Sequence, residues 1–198
     1  ARRIYAGKEA SKHTLPQESI NNLLVDLARE KLSVVRLKGG DPFIFGRGGE
    51  ELETLAASGI PFEVVPGITA AAGCAAYSGF PLTHRDHAQA VTFVTGHLKD
   101  NTVNLDWPAL ARPNHTVVFY MGIGAASEIC RQMIDHGLPP QTPAAVIRNG
   151  TLSSQQTLLA SLGTLPWRIA ESGIKPPALI VVGSVVGLHA SLSWFEQT

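Results

Sequence analysis

The sequence has little cysteine, no net charge and no long apolar run, and each shortage excludes a class of protein. Its two cysteines, Cys74 and Cys130, stand far apart and match neither a metal-binding nor a redox spacing. So few thiols suit a reducing compartment, and we predict a cytoplasmic location. Basic and acidic residues both number 16, so no overall field directs the protein to nucleic acid or to a membrane surface.

Membrane-length hydrophobic segments are missing as well. The apolar run at residues 180–188 is too short to cross a bilayer, and no stretch has the pattern of a secretory hydrophobic segment. Apolar residues make up 44% of the 198 positions, which is enough for one large core or two smaller ones. We therefore expect a globular protein with neither nucleic acid nor membrane as a partner.

The most informative stretch runs from Val34 to Glu51. Residues 34–37 form an apolar run that ends at two glycines, which predicts a buried strand. The chain then turns at residues 39–42, and a second glycine cluster surrounds Arg47. Glu50 and Glu51 open a helix, where carboxylates suit the positive end of the helix dipole. A strand, a glycine turn and a helix start together indicate an edge that binds a ligand.

Two common nucleotide-binding motifs do not fit this stretch. A phosphate-binding loop requires four residues between its glycines, whereas five separate Gly40 from Gly46, and no hydroxyl residue follows Arg47. A dinucleotide-binding fingerprint requires a small residue at the position of Glu51. A purely structural turn is a third interpretation, but such a turn requires neither Asp41 nor an arginine between glycines.

The rest of the chain alternates between helical and strand patterns. Apolar periodicity predicts helices at residues 16–30, 50–58, 69–78 and 124–136, and strands at 62–65, 91–95, 117–121, 144–147 and 179–182. The strand–helix alternation in the first half favours a parallel sheet, and the strand at 179–182 is expected to close the sheet. Trp194 and Phe195 are expected to cover an apolar patch. The fold class predicted from this pattern is α/β.

A polar segment at residues 83–87 marks the predicted junction between two α/β domains, residues 1–88 and 89–198. His84 and His87 have a spacing that occurs in metal sites, but no third ligand is near, so we predict no metal. Arg85 is more informative, because an arginine held in a rigid segment can bind a carboxylate through two parallel hydrogen bonds.

Residues 37–51 resemble the signature of the uroporphyrinogen-III C-methyltransferases, which belong to the tetrapyrrole methylases. Residues 65–71, 81–86, 94–97 and 119–122 resemble further motifs of the same family and follow in the same order. The resemblance covers almost the whole chain, and a motif of this length is far more specific than a short glycine pattern.

The resemblance implies a tetrapyrrole-methylase-like fold of two α/β domains with the active site in the cleft between them. It implies S-adenosyl-L-methionine as co-substrate, and methylation of uroporphyrinogen III at two ring carbons to give precorrin-2 for siroheme or cobalamin biosynthesis. A homodimer is also expected. The predicted cofactor-binding residues are Gly39, Gly40, Asp41, Ile44, Thr69, Ala70, Met121 and Gly150.

The predicted catalytic residues are Lys8, Arg47, Glu50 and Arg85. Lys8 matches a functional lysine of the family. Because arginine is too basic to accept a proton, Glu50 is the better candidate for the base that removes a proton after methyl transfer. Arg47 and Arg85 are then expected to hold the carboxylates of the substrate.

Three alternatives remain open on the sequence alone. The chain is also consistent with the methylase part of a trifunctional siroheme synthase, with another methylase of the same fold, or with a tetrapyrrole-binding module without turnover. Family members begin with a strand and a Gly/Pro-rich loop that this sequence does not contain. We therefore expect the N-terminal domain to be incomplete in this chain.

Overall fold

The computed structural model describes residues 2–6, 15–96 and 104–195 and has the predicted α/β fold class. It divides into two compact units, Ala1–Ile68 and Thr69–Thr198, which are called the first and second units below. The domain boundary predicted between residues 88 and 89 lies further along the chain and stays a prediction. In the described part of the chain, no helix is both long and apolar enough to cross a membrane.

The first unit contains helices α1 (Gln17–Arg29) and α2 (Gly48–Ala57), both close to their predicted bounds. The amphipathic spacing of α1 buries Ile20, Leu24 and Val25. A polar contact joins the two helices, because the amide of Asn21 donates to the Thr54 hydroxyl at 3.0 Å and to the Glu50 carbonyl at 3.2 Å. The helical part of the prediction is confirmed.

The strands predicted at residues 34–37 and 62–65 are wrong. Neither segment is a strand in the structure, and Val35, Leu37 and Val65 are 85%, 84% and 83% exposed. A strand needs a neighbour that pairs with its backbone, and the described residues of the first unit contain no such ladder. Apolar runs reveal a tendency to form strands but not the presence of a partner.

The second unit is built on a five-stranded sheet in the order β1-β2-β5-β3-β4. Its strands are β1 (Ala90–Thr95), β2 (His115–Tyr120), β3 (Pro143–Arg148), β4 (Gln156–Ser161) and β5 (Ala178–Val182). Only β1 and β2 pair in parallel, while β5 is antiparallel to both β2 and β3, and β3 is antiparallel to β4. The sheet is therefore mixed, and β5 lies at its centre and does not close it. The sequence did not predict β4, because this strand lies at an edge and is half-exposed.

Five further helices belong to the second unit in the part that the structure describes. They are α3 (Ala70–Tyr77), α4 (Trp107–Leu110), α5 (Ala126–Asp135), α6 (Leu165–Ser172) and α7 (His189–Leu192). Short 3₁₀ turns at Ile123–Ala125 and Ser184–Leu188 precede α5 and α7. The predictions of α3 and α5 are confirmed, whereas α4, α6 and α7 are too short or too mixed in pattern to be predicted.

A large hydrophobic cluster of the second unit lies on one face of the sheet. Alternate residues of the central strands, among them Phe119, Val146 and Ile180, pack with Ile129 and Met133 of α5, and all five are fully buried. Burial of each such side chain stabilises the fold by about 1.5–3 kcal/mol. The sheet is thus firmly fixed, and its edges provide a rigid support for the turns that follow the strands.

The C-terminal aromatic residues pack against α3, as expected for a cover over an apolar patch. The rings of Trp194 and Phe195 lie 5.0 and 4.9 Å from the ring of Tyr77. The indole N–H of Trp194 donates to the carbonyl of Ala76 at 2.9 Å. The end of the described chain is therefore bound to the C-terminal turn of α3.

Candidate functional site

The loop that begins at Gly39 is shaped by the carboxylate of Asp41. Its Oδ1 accepts hydrogen bonds from the backbone N–H groups of Phe43 at 2.8 Å and Ile44 at 3.1 Å, and Oδ2 accepts from that of Gly67 at 3.0 Å. These bonds, the one from Gly67 above all, lower the pKa of Asp41. Asp41 is predicted to contact the cofactor, but in the structure its carboxylate first joins the loop to the segment at Gly67.

Two glycines of this region have different surroundings. A Cβ atom at Gly67 would collide with the carbonyl oxygen of Gly40, and Gly40 has a φ of 76°, so this close approach requires glycine. A Cβ atom at Gly39 would meet no atom of the described residues within 4 Å. The loop is therefore closely packed on the Gly67 side and open at Gly39, where a ligand can approach the backbone.

Arg47 and Glu50 form a two-point ion pair at the start of α2. The Nε of Arg47 donates to Oε1 of Glu50 at 2.8 Å, and Nη2 donates to Oε2 at 2.6 Å. The hydrogen bond with Glu50 raises the pKa of Arg47. Both side chains are about half-exposed, at 46% and 50%. The structure thus brings two predicted catalytic residues together, and the pairing with Arg47 favours the ionised form of Glu50.

The sequence did not predict the role of Glu51. This side chain is 3% exposed, and Lys38 donates to both of its carboxylate oxygens at 3.0 Å. Arg36 and Gln17 also donate to it, each at 3.2 Å. Glu51 therefore ties α1, α2 and the segment before Gly39 together. The sequence places Glu51 in the first turn of a helix, but it does not show which of the two adjacent glutamates, Glu50 or Glu51, is buried.

In the second unit, the hydroxyl of Tyr120 binds the N-terminus of α3. It lies 2.5 Å from the hydroxyl of Thr69, and it accepts a hydrogen bond from the backbone N–H of Ala71 at 3.0 Å. The first N–H groups of a helix have no acceptor within the helix, and the hydroxyl of Tyr120 supplies one of the missing acceptors. Thr69 and Ala70, both predicted to bind the cofactor, are held in place by a residue that the sequence did not single out.

Met121 follows Tyr120 at the carboxyl end of β2. Its φ is 55°, which is unusual for a residue with a side chain, and its side chain is 56% exposed. Strands β2 and β3 are both antiparallel to β5, so they run in the same direction and end at the same edge of the sheet. Gly150 follows β3 and lies at this edge, because it stands two residues after Arg148. The structure thus places Met121 and Gly150 at one edge, as expected for ligand-binding turns.

Helix α3 also contacts the turn at Gly150. A Cβ atom at Gly150 would collide with the Sγ of Cys74 in the middle of α3, so only glycine fits. Burial raises the pKa of the Cys74 thiol to about 11, and the thiol therefore stays neutral at physiological pH. The predicted residues Thr69, Ala70, Met121 and Gly150 are all positioned by α3 and the sheet edge.

Arg85 lies in a tight turn of the second unit. The backbones of His84 and Ala88 exchange two hydrogen bonds of 2.9 Å, and the carbonyl of Arg85 accepts from the amide of Gln89 at 2.9 Å. These hydrogen bonds hold the backbone of the turn, the Arg85 side chain is exposed, and its role in binding a carboxylate stays a prediction. Among the residues that the structure describes, no three His, Cys, Asp or Glu side chains are grouped to hold a metal ion. Lys8 lies outside the described residues.

The described residues fit a methyl donor of the S-adenosyl-L-methionine type. Gly39 leaves open backbone in the first unit, and Met121 offers an exposed thioether in the second. The Nε of Arg148, at the end of β3, is buried and has no hydrogen-bond partner within the described ranges, so it can donate to an added acceptor. Within the second unit, a soft apolar side chain and a spare donor suit a ligand that is part polar and part apolar.

Comparisons of this chain with known proteins all indicate the same family. Residues 1–166 match the model of the tetrapyrrole (corrin/porphyrin) methylases. Over all 198 residues the chain is 65% identical to the siroheme synthase of Nitrosomonas eutropha and 62% identical to that of Methylococcus capsulatus. The chain spans 42% of the length of each of these relatives.

Solved structures agree with the sequence relatives. A uroporphyrin-III C-methyl transferase from Thermus thermophilus, complexed with S-adenyl homocysteine, is 38% identical, with a TM-score of 0.73 over 87% of this chain and 75% of that one. A cobalt precorrin-4 methyltransferase is 25% identical, with a TM-score of 0.78 over 89% of this chain and 73% of that one. With the family match, the relatives and the geometry in agreement, the chain belongs to the tetrapyrrole methylases.

Proposed function

We propose that this chain transfers methyl groups from S-adenosyl-L-methionine to two ring carbons of uroporphyrinogen III, which gives precorrin-2. The observation that carries the proposal is the 38% identity to a uroporphyrin-III C-methyl transferase, over 87% of this chain and 75% of that protein. The cobalt precorrin-4 methyltransferase shares the fold at lower identity, 25%, which disfavours a later corrin methylation. Since the chain spans 42% of the siroheme synthase relatives, we propose that it is the methylase part of such a protein.

The methyl donor supplies an electrophilic methyl group on a positively charged sulfur. We assign its binding to Gly39, Gly40, Asp41 and Ile44 of the first unit and to Thr69, Ala70, Met121 and Gly150 of the second. The open backbone at Gly39 and the exposed side chain of Met121 support the assignment. Asp41 acts mainly by shaping the loop, because its carboxylate oxygens already accept three backbone N–H groups.

In the proposed reaction, an electron-rich pyrrole carbon of uroporphyrinogen attacks the methyl group, the carbon–sulfur bond breaks, and its electron pair stays on sulfur. A proton then leaves the macrocycle. Glu50 is the proposed proton acceptor and Arg47 its partner, so binding of a substrate carboxylate by Arg47 would release Glu50 for this role. Arg85 binds another carboxylate, and Lys8 assists proton transfer. Catalysis by this site rests on positioning and on placement of charge.

The proposal extends to assembly and location. We propose that the protein acts as a homodimer in the cytoplasm. Two buried neutral thiols support a reducing compartment, since Cys74 and Cys130 are both free in the structure. Measurement of the mass in solution by light scattering tests the dimer, and a monomer at micromolar concentration would contradict it.

The direct test of the function is incubation with uroporphyrinogen III and isotopically labelled S-adenosyl-L-methionine, followed by mass spectrometry. We expect a product with two added labelled methyl groups. A tetrapyrrole with fewer carboxylates serves as the control and should react more slowly, because the proposed arginines then lose partners. Tight tetrapyrrole binding with no methylated product would instead support the binding-module alternative.

A further inference from the structure

The amide of Gln155 is buried in the second unit, and both of its ends are hydrogen-bonded. Its Oε1 accepts from the backbone N–H of Thr151 at 2.8 Å, and its Nε2 donates to the carbonyl of Tyr77 at 3.1 Å. The side chain is 3% exposed. Only the oxygen can accept from an N–H group and only the nitrogen can donate to a carbonyl, so these two partners fix the orientation of the amide.

These contacts join the C-terminus of α3 to the turn after β3. The carbonyl of Tyr77 belongs to the last turn of α3, where carbonyls have no partner within the helix. Nε2 also lies 3.2 Å from the hydroxyl of Thr157 and 3.4 Å from that of Ser78, and the two hydroxyls are 3.0 Å apart. Gln155 is therefore the centre of a buried polar network that links residues 78 positions apart in sequence.

The turn that Gln155 supports has an unfavourable backbone. Asn149 and Thr151, on either side of Gly150, have φ values of 52° and 70°, a region that residues with side chains rarely adopt. Such conformations persist only where the surroundings hold them. The contacts that hold this turn include the hydrogen bond from Thr151 to Gln155 and the packing of Gly150 against Cys74. The Asn149 amide also donates to the Ser154 hydroxyl at 3.3 Å, and the Asn149 carbonyl accepts from the backbone N–H of Leu152 at 3.1 Å.

We propose that Gln155 is a positioning residue for methyl-donor binding: it fixes the turn 149–151 so that the backbone at Gly150 faces the ligand. This inference rests on the proposed function, since Gly150 is assigned there to the methyl donor. Gln155 itself makes no contact with the ligand in this account. Its effect passes through the Thr151 amide and the geometry of one turn.

Two substitutions separate the parts of the network. Gln155→Met keeps the approximate shape but removes both the acceptor for Thr151 and the donor to Tyr77. Gln155→Glu keeps an acceptor for Thr151 but places an oxygen against the Tyr77 carbonyl. The neighbouring Gln156 is exposed at the start of β4, so Gln156→Met is a matched control for loss of an amide without loss of the network.

The test combines calorimetric titration of S-adenosyl-homocysteine with hydrogen exchange at the Thr151 amide. We expect Gln155→Met to weaken binding at least about fivefold, the equivalent of one buried hydrogen bond, and to speed exchange of the Thr151 amide. Gln155→Glu should retain slower exchange than Gln155→Met, and Gln156→Met should match the wild type. In steady-state kinetics, KM for the methyl donor should rise, while kcat and KM for the tetrapyrrole stay near wild type.

The outcomes separate this inference from the proposed function. A folded Gln155→Met protein that binds S-adenosyl-homocysteine like the wild type would overturn the positioning role and leave the proposed function intact. If Gln155→Met does not fold, the same affinity comparison is made on Gln155→Leu, which also removes the acceptor for Thr151, and wild-type affinity there overturns the role as well. A wild-type protein that binds no S-adenosyl-homocysteine would overturn the proposed function itself, whatever the exchange of the Thr151 amide shows.

Discussion

Removal of one hydroxyl group by Tyr120→Phe tests how the second unit holds the start of α3. The hydroxyl accepts a hydrogen bond from the N–H of Ala71 at 3.0 Å and lies 2.5 Å from the Thr69 hydroxyl. The ring itself is 8% exposed and stays in place in the variant, because Phe93 packs against it with 6.1 Å between ring centroids. The substitution therefore removes hydrogen bonds and leaves the apolar packing intact.

The expected cost follows from the burial of the partners. Ala71 is 0% exposed, so its N–H finds no water after the substitution, and an unsatisfied buried donor costs about 1–3 kcal/mol. Thr69 is only partly buried, so its hydroxyl can bond to water and adds little. We expect the free energy of unfolding to fall by about 2 kcal/mol, which lowers Tm by about 4–8 °C for a chain of this length.

The assay is urea unfolding together with titration of S-adenosyl-homocysteine. Tyr77→Phe is the matched control, because it deletes the same hydroxyl from the same region, and no described residue forms a hydrogen bond with the Tyr77 hydroxyl. We expect Tyr120→Phe to weaken ligand binding as well as stability, since Thr69, Ala70 and Met121 all adjoin the lost contact. Equal stability of the two variants would refute the capping role of Tyr120.

Three further predictions concern the first unit. Gly39→Val should weaken binding of S-adenosyl-homocysteine about tenfold or more. It should leave Tm nearly unchanged, because a Cβ atom at Gly39 meets no atom of the described residues. The control is Gly49→Val, since a Cβ atom at Gly49, at the start of α2, is equally free of contacts with described residues. The pKa of Asp41 is lower in the folded chain than in the unfolded chain, so the ionised carboxylate stabilises the fold above about pH 4. This contribution is lost as the pH falls through the folded-state pKa. The difference in free energy of unfolding between wild type and Asp41→Asn should therefore shrink in urea titrations at acid pH. Arg47→Lys should lower kcat/KM for the tetrapyrrole sharply, because lysine keeps the charge but loses the two-point contact. Glu50→Gln should lower kcat more than it changes KM. An unchanged kcat in Glu50→Gln would remove Glu50 from the mechanism.

Local patterns in the sequence predict the longer helices α1, α2, α3 and α5. The spacing of Ile20 and Leu24 gives α1 its buried face, and the small residues of residues 70–76 mark α3. Predicted strands are confirmed only where the described part of the chain also supplies a neighbouring strand. Residues 34–37 and 91–95 have similar apolar runs, yet only the second pairs with another strand among the described residues. Pairing is a long-range property that a local window does not contain.

The polar contacts that fix the site are hidden from the sequence for the same reason. Asp41 is recognisable as part of a motif, but one of its donors, Gly67, lies 26 residues away. Tyr120 meets Ala71 across 49 residues. Spacing rules identify side chains that could accept a hydrogen bond, whereas the identity of the donor depends on how distant segments pack.

The supports of the two groups of predicted cofactor residues differ in charge, and this difference has a physical consequence. In the first unit the loop is held by a carboxylate, that of Asp41, which accepts from backbone N–H groups. In the second unit the corresponding supports are the hydroxyl of Tyr120 and the amide of Gln155, which carry no charge in acid. Protonation removes the first kind of support and leaves the second. Acid should therefore loosen the loop at Gly39 before it loosens the turns at Met121 and Gly150, so hydrogen exchange at low pH should rise first at the amides of Phe43 and Gly67.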